Sequence, residues 1–218
     1  MNVDLSNYRK NYNKDCLLEN EVPEKPFTLF HKWFQEEKSF YGKNKEVNAM
    51  SVSTIGNDGV PETRIVLLKE YSEEGFVFYT NYYSYKGVAI KNRPKVCLSF
   101  YWNRTERQII IKGITHKVEK DKSDEYFNKR PKENKISCWA SQQSYIISSK
   151  KQLEKQYKKW YNFFCKNRLI IKRPYYWGGY IVKPYQIEFW QGQPNRLHDR
   201  IMYKLMVEKE WTFFRLSP

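Results

Sequence analysis

Residues 193–200, "QPNRLHDR", set Arg196, His198, Asp199 and Arg200 within five positions, directly behind the apolar run "IEFW". Guanidinium groups on both sides of an imidazole can grip an anion, orient a polarisable ring or hold a proton, and a merely soluble strand needs none of these. Spacing alone leaves the stretch open between a surface charge cluster and one wall of a site. The only other histidines are His31, in an amphipathic helical pattern, and His116, in a strand pattern; both read as structural or surface residues.

A second group of candidates is scattered: Arg64 and Lys69 in "RIVLLK", Ser84 and Lys86 in "SYK", Arg130 in "KRP", and Gln143 with Ser144. Arginine grips phosphate with a forked pair of charge-assisted hydrogen bonds, and lysine adds a compact charge. Arg64 and Lys69 have opposite parity, so a regular strand turns them to opposite faces, roughly 17 Å apart at roughly 3.3 Å per residue. They do not share one small anion. Either one of them is an ordinary surface charge, or the strand borders an elongated site. No nucleophile elbow, P-loop, GxGxxG or HExxH pattern occurs, so hydrolase and nucleoside-triphosphatase chemistry lack their usual support.

The chain of 218 residues carries 39 Lys and Arg against 24 Asp and Glu, a net charge of +15 that favours polyanions, phosphate esters or anionic surfaces without choosing among them. Residues 150–173 hold nine Lys or Arg and one acid, Glu154, which reads as a solvated helix face or, alternatively, a nucleic-acid contact. Cys16, Cys97, Cys138 and Cys165 have neither CxxC spacing nor nearby histidines; they read as reduced thiols outside any metal site, in a cytoplasmic protein. No secretory leader and no apolar run of about 18 residues is present, so neither secretion nor membrane spanning is expected.

The elements that must position these groups are legible in outline. "PFTLFHKWFQEE" places Phe27, Phe30, Trp33 and Phe34 on one helical face, with Pro26 suited to its first turn. From about residue 48 to 118, "AMSVSTI", "TRIVLLK", "GFVFYTN", "KVCLSFYW" and "RQIIIKGITHKV" read as strands, interrupted by a helix in "YSYKGVAIKNRP" that ends before Pro94. Helices return in "DKSDEYFNKR", in "ENKISCWASQQS" and from Ser149, where Ser149 and Gln152 form a capping box ahead of a stripe of Leu153, Tyr157, Trp160, Tyr161 and Phe164. The remaining "GGYIVKPYQIEFWQG" and "RIMYKLMVEKEWTFFRL" read as three or four strands returning to the earlier sheet. The expectation is a mainly β, α+β chain with an antiparallel sheet or barrel, organised as a mobile N-terminal segment, 1–24, and a single domain, 25–218.

The blocks "RIVLLK", "FVFYTN", "ERQIIIKG", "YFNKRP", "WASQQS", "WGGY", "IEFWQG" and "RLHDR", with the closing "RLSP", occur in one order along the chain. Together they resemble the pyridoxine/pyridoxamine 5′-phosphate oxidase family, from about Tyr8 to Pro218. The resemblance implies a homodimeric, FMN-binding split β-barrel, with FMN at the subunit interface, that oxidises pyridoxamine or pyridoxine 5′-phosphate to pyridoxal 5′-phosphate, with O2 as acceptor and H2O2 as by-product. That makes two phosphates to hold, which would give Arg64 and Lys69 separate anions. A related FMN-dependent reductase and a nucleic-acid-binding β-barrel are the alternatives.

Residue by residue, the resemblance assigns FMN to Arg64, Ile65, Val66, Leu67, Leu68, Lys69, Tyr79, Thr80, Tyr85, Lys86, Gln108, Gln143, Ser144, Trp190 and Arg200. It assigns the substrate phosphate to Lys69, Tyr126, Arg130 and Asn134, and the substrate ring to Arg196, Leu197 and His198, with Arg196 and His198 catalytic. Arg9, Lys10, Asn11 and Tyr12 match a segment that closes over the substrate as a lid. Two positions depart from the family pattern. Tyr85 stands where an arginine is usual near the FMN phosphate, bringing a hydroxyl but no charge, and Asn134 replaces a common serine.

Overall fold

The computed structural model describes residues 1–41 and 46–218. Helix α1 (Pro26–Ser39) is followed by strands β1 (Ala49–Ile55), β2 (Pro61–Leu67), β3 (Glu70–Ser72) and β4 (Gly75–Asn81), helix α2 (Tyr85–Asn92), and strands β5 (Lys95–Trp102) and β6 (Arg107–Lys117). Helices α3 (Lys120–Lys129), α4 (Lys132–Ala140) and α5 (Lys150–Lys166) precede strands β7 (Trp177–Gln191), β8 (Asp199–Leu205) and β9 (Trp211–Arg215). The strands hydrogen-bond in the order β2-β1-β5-β6-β7-β4-β3, with β8 on β7 and β9 on β8. The mainly β architecture with flanking helices is the expected class. Short β3, unanticipated from the sequence, pairs antiparallel with β4.

β7 organises both halves of the molecule. Its residues 177–182 run antiparallel to β4, and its residues 186–191 run antiparallel to β8. Pro184, which has no N–H to give a ladder, falls between the two paired runs. The chain divides there into two compact units: one of residues 1–51, 97–112 and 184–218, and one of residues 52–96 and 113–183.

The first unit is built on α1 and the β7–β8–β9 meander. Alternation in β8 buries Ile201 and Tyr203, and the α1 stripe buries Phe27, Phe30 and Trp33. Trp33 meets Phe189 edge to face at 5.2 Å, Phe30 meets Phe100 at 5.4 Å, and the buried Tyr203 hydroxyl donates to Pro23 O at 2.6 Å. Buried Glu37 is matched by the N–H and the hydroxyl of Thr105, at 3.2 and 2.8 Å.

The second unit carries α2 to α5. Its core is Phe127, Ile136, Phe164, Ile171 and Trp177, with Trp139 and Trp160 packed against it 5.1 Å apart. The Ser149 hydroxyl accepts the Gln152 N–H and so starts α5, while Gln152 Oε1 reaches back to the Ser148 N–H and hydroxyl, one residue earlier than a standard capping box. Of the α5 stripe, Phe164 is fully buried. Ser84 caps α2 by accepting the Gly87 N–H, and a side chain at Gly87 would overlap the Tyr82 carbonyl.

Candidate active site

In the second unit a cavity of about 450 Å³ opens beside β2 and β4. Ile65, Val66 and Leu67 of β2 line it, with Lys69 just past the strand, Tyr79 and Thr80 from β4, and Lys86 from the first turn of α2. The corner between α3 and α4 adds Tyr126, Arg130 and Asn134, and Gln143 follows from the loop after α4. Among the described residues, four lining side chains are cationic, Lys69, Lys86, Lys129 and Arg130, and none is a carboxylate.

Lys86 is the most telling of these. It is 7% exposed, its ammonium lies 3.3 Å from Thr80 Oγ1, and no carboxylate among the described residues pairs with it. Burial, and then the charge of Arg64, hold its pKa down to about 8. Thr80 in turn donates to Gln143 Oε1 at 3.4 Å, which ties the loop after α4 to the end of β4. A buried cation with only a hydroxyl for company suits an anionic phosphate.

Tyr79 lies flat on Tyr126 at 3.9 Å and on Trp177 at 5.5 Å, and burial, followed by the charge of Glu70, pushes its phenol up to about 12, so it stays a hydrogen-bond donor. The Arg130 guanidinium sits 4.5 Å from the Trp177 ring centroid and donates to Cys138 Sγ at 2.8 Å. It is thereby aimed by an indole and a thiol.

Several expected cofactor residues stand apart from this lining: Arg64, Leu68, Tyr85 and Ser144 in the same unit, and Gln108, Trp190 and Arg200 in the first. Arg64 is ion-paired with Glu62 and donates to Thr54 Oγ1 at 2.7 Å. Leu68 is buried. Tyr85 is exposed, and its backbone N–H donates to Ser144 Oγ at 3.2 Å; both residues line a neighbouring cavity of about 750 Å³.

The "QPNRLHDR" stretch lies in the first unit, in the turn from β7 to β8. Asn195 and Arg196 hold φ values of +56° and +63°, a left-handed pair that is costly for residues with side chains. His198 Nδ1 accepts the Gln193 N–H at 3.0 Å, which requires a lone pair there and leaves the neutral ring's proton on Nε2. The ring packs 4.7 Å from Trp190 and 5.7 Å from Tyr12. Burial and then the Arg196 charge lower its pKa against the opposing pull of Asp199. The neutral donor is the favoured form.

Around it the charges are matched. Asp199 accepts from Arg215 at 2.8 Å, from the Leu17 N–H at 3.1 Å and from Gln193 Nε2 at 2.8 Å. Arg200 pairs with Glu188 at 2.8 Å and donates to Ser217 O at 2.9 Å. Arg196 and Leu197 are exposed, and Gln108 and Trp190 are half-buried. In the N-terminal segment, Arg9 and Asn11 are exposed, Lys10 pairs with Glu106 at 2.7 Å, and half-buried Tyr12 meets Trp190 edge to face at 5.6 Å.

The structure thus collects Lys69, Lys86, Arg130 and Gln143 into one cavity, leaves Arg64, Ser84 and Ser144 outside its lining, and builds the His198 corner from the N-terminal segment and the β7–β8 turn. Sequence reading overlooked Asn81, Lys129 and Trp177 in the cavity, Cys138 beneath Arg130, and Gln193 on His198. Trp177 lies in the quoted "WGGY" block, the one local signal available for it.

Known proteins resemble this chain over nearly its whole length. The family described as "Pyridoxamine 5'-phosphate oxidase" matches residues 38–164, and "Pyridoxine 5'-phosphate oxidase C-terminal dimerisation region" matches residues 177–218. A pyridoxine/pyridoxamine 5′-phosphate oxidase of Flavobacterium psychrophilum is 54% identical over 215 residues, covering 99% of both chains, and one of Flavobacterium johnsoniae is 55% identical over 214 residues, covering 98% of this chain and 99% of its own. Among solved structures, PhzG from Burkholderia lata, in complex with tetrahydrophenazine-1-carboxylic acid, superposes with a TM-score of 0.83 at 24% identity over 94% of this chain and 98% of its own. A pyridoxamine 5′-phosphate oxidase-related, FMN-binding protein from Nostoc punctiforme gives 0.68 at 14% identity over 90% and 100%. These two share the fold, and the full-length relatives establish that the chain belongs to the pyridoxine/pyridoxamine 5′-phosphate oxidase family.

Proposed function

We infer that the cationic cavity is the phosphate-holding part of this enzyme and the His198 corner its ring-orienting part. As a member of its family the chain oxidises pyridoxamine and pyridoxine 5′-phosphate to pyridoxal 5′-phosphate, depends on FMN, uses O2 as acceptor and pairs as a homodimer, residues 177–218 matching the dimerisation region. FMN, when bound, supplies the redox chemistry, taking two electrons from the substrate and passing them to oxygen as hydrogen peroxide.

The observation that carries the assignment is the cavity lined by four cations and no carboxylate, with Lys86 buried among them. Lys86, Thr80 and Gln143 would hold the phosphate of FMN, with Tyr85 and Ser144 at the start of α2 and the backbone of 64–69 alongside. Lys69, Tyr126, Arg130 and Asn134 would hold the phosphate of the substrate. His198 donates from Nε2 to the ring hydroxyl of the substrate, Arg196 covers the pyridine ring, and the segment Arg9 to Tyr12 closes over both as a lid. Arg200, half-committed to Glu188, would face the flavin with Gln108 and Trp190.

A cytoplasmic location is part of this proposal, and the four free cysteines support it. Among the described residues no helix is long and apolar enough to cross a membrane.

Anaerobic addition of pyridoxamine 5′-phosphate to the yellow holoprotein should bleach the visible flavin absorbance, and admitting air should restore it with release of peroxide. A flavin-loaded protein that keeps its colour under substrate would overturn the reading.

A further inference from the structure

The N-terminal segment is not simply draped on the first unit; one carboxylate gathers it. Glu106 stands immediately before β6 with φ +56°, and its side chain is only 1% exposed. Oε2 accepts the backbone N–H groups of Asn13 at 2.9 Å and Lys14 at 3.3 Å. Oε1, which has no hydrogen bond, faces the Lys10 ammonium at 2.7 Å as an ion pair. The main-chain oxygen of Glu106 also accepts the Gly192 N–H at 2.9 Å and Gln191 Nε2 at 3.4 Å. One residue therefore holds the segment with its side chain and the exit of β7 with its backbone.

We propose that Glu106 is the latch of the N-terminal segment, docking residues 10–14 so that Tyr12 is seated against His198, and is thus a positioning residue for substrate binding. Burying a carboxylate is costly unless charge and hydrogen bonds compensate it, and all three side-chain partners of Glu106 come from residues 10–14. Release of the segment strips that charge of its partners, so the docked state is favoured. Burial pushes the Glu106 carboxyl up, but Lys10 and the two N–H groups outweigh it and hold it below the ordinary carboxylate value. The nearby Arg107 is already engaged by Asp15 at 2.6 Å, by Glu36 and by Gln191 at 2.8 Å.

The seat of Tyr12 has a second requirement. A Cβ at Gly192 would lie 2.7 Å from Tyr12 Cβ and Cγ, so the absence of a side chain there lets the phenol reach Trp190 and His198. Glu106 and Gly192, joined through their backbones, fix one aromatic ring from two sides.

The proposal rests on the reading of the His198 corner as the ring-binding part, and its test separates the two. In flavin-loaded, full-length protein, Glu106→Gln should be cut by trypsin after Lys10 and Lys14 about tenfold faster than wild type, as expected when a charge-assisted anchor is weakened. The KM for pyridoxamine 5′-phosphate should rise about fivefold with kcat within about twofold, and in a Tyr12→Ala background Glu106→Gln should raise KM no further. Gly192→Ala, which leaves the carboxylate intact, should raise KM similarly by unseating Tyr12. Wild-type cleavage in Glu106→Gln, or KM effects that multiply in the double variant, would overturn the latch. An inactive wild-type protein would instead overturn the functional reading, leaving cleavage to decide the latch.

Discussion

The cavity of the second unit and the His198 corner of the first treat charge differently. In the cavity between β2, β4 and the α3–α4 corner no described lining residue is a carboxylate, and of its four cations only Lys129 pairs with one among the described residues, Glu125 at 2.5 Å. At the His198 corner, Asp199 is joined to Arg215, Arg200 to Glu188, Lys10 to Glu106, and Arg107 to Asp15. The first region leaves positive charge for a ligand, whereas the second uses opposite charges to fix its own shape. On the proposed assignment the one holds anions and the other holds a ring still. The net charge of +15 is therefore a poor guide by itself, because what matters is which cations remain unmatched.

The strongest test of that contrast is removal of the orienting groups. His198→Ala or Arg196→Ala should lower kcat by about 100-fold, the scale expected when a reacting carbon is displaced by about an ångström, while the flavin content of the purified protein is unchanged. Equal loss of flavin and turnover would erase the distinction between the regions. Next in size, Lys86→Met should weaken FMN retention about tenfold to 100-fold, measured by equilibrium dialysis, because a charge-assisted contact to phosphate is lost. The same substitution should leave the thermal midpoint of the apoprotein unchanged or raised, since it removes a buried cation whose pKa is held down to about 8.

Asp199→Asn should do the reverse: FMN content intact, and folding stability lower by about 1–3 kcal/mol in chemical denaturation, because Arg215 and the Leu17 N–H lose a charged acceptor. Arg215 keeps Glu19 and the Leu17 carbonyl, at 2.7 and 2.6 Å, which limits the loss.

Local chemistry was legible where neighbours in sequence act together. The Phe27, Phe30 and Trp33 stripe, the Ser149 cap and the alternation of β1 and β5 each follow from spacing alone. Arg64 and Lys69 do part company, Lys69 lining the cavity while Arg64 pairs with Glu62, but Lys69 lies past the end of β2, where strand parity no longer applies. The Glu62–Arg64 pair is equally readable, two residues apart on one face of β2. What spacing could not show is long-range: Glu106 sits in a stretch, "NRTE", that reads as a turn, and its partners lie more than 90 positions away. Cys138, which reads as a reduced thiol outside any metal site, gains meaning only when the α3–α4 corner brings it under Arg130.

The smallest effect expected is also the one that most directly probes how charge is used at the His198 corner. Burial and Arg196 lower the His198 pKa from its ordinary 6.5 while Asp199 pulls it up. A depressed folded-state pKa contributes stability that is present above 6.5 and is lost as pH falls through the folded value, because the unfolded imidazole takes the proton more readily. The same protonation converts Nδ1 from acceptor to donor and breaks its bond from the Gln193 N–H. The acid limb of kcat/KM should therefore lie below 6.5. In Asp199→Asn the upward pull disappears, so the limb should move further toward acid, by less than about one pH unit. Movement toward higher pH would mean that the turn has rearranged and exposed the ring. An unmoved limb would mean that the Asp199 charge is fully occupied by Arg215, which would carry the principle of matched charge at this corner one residue further.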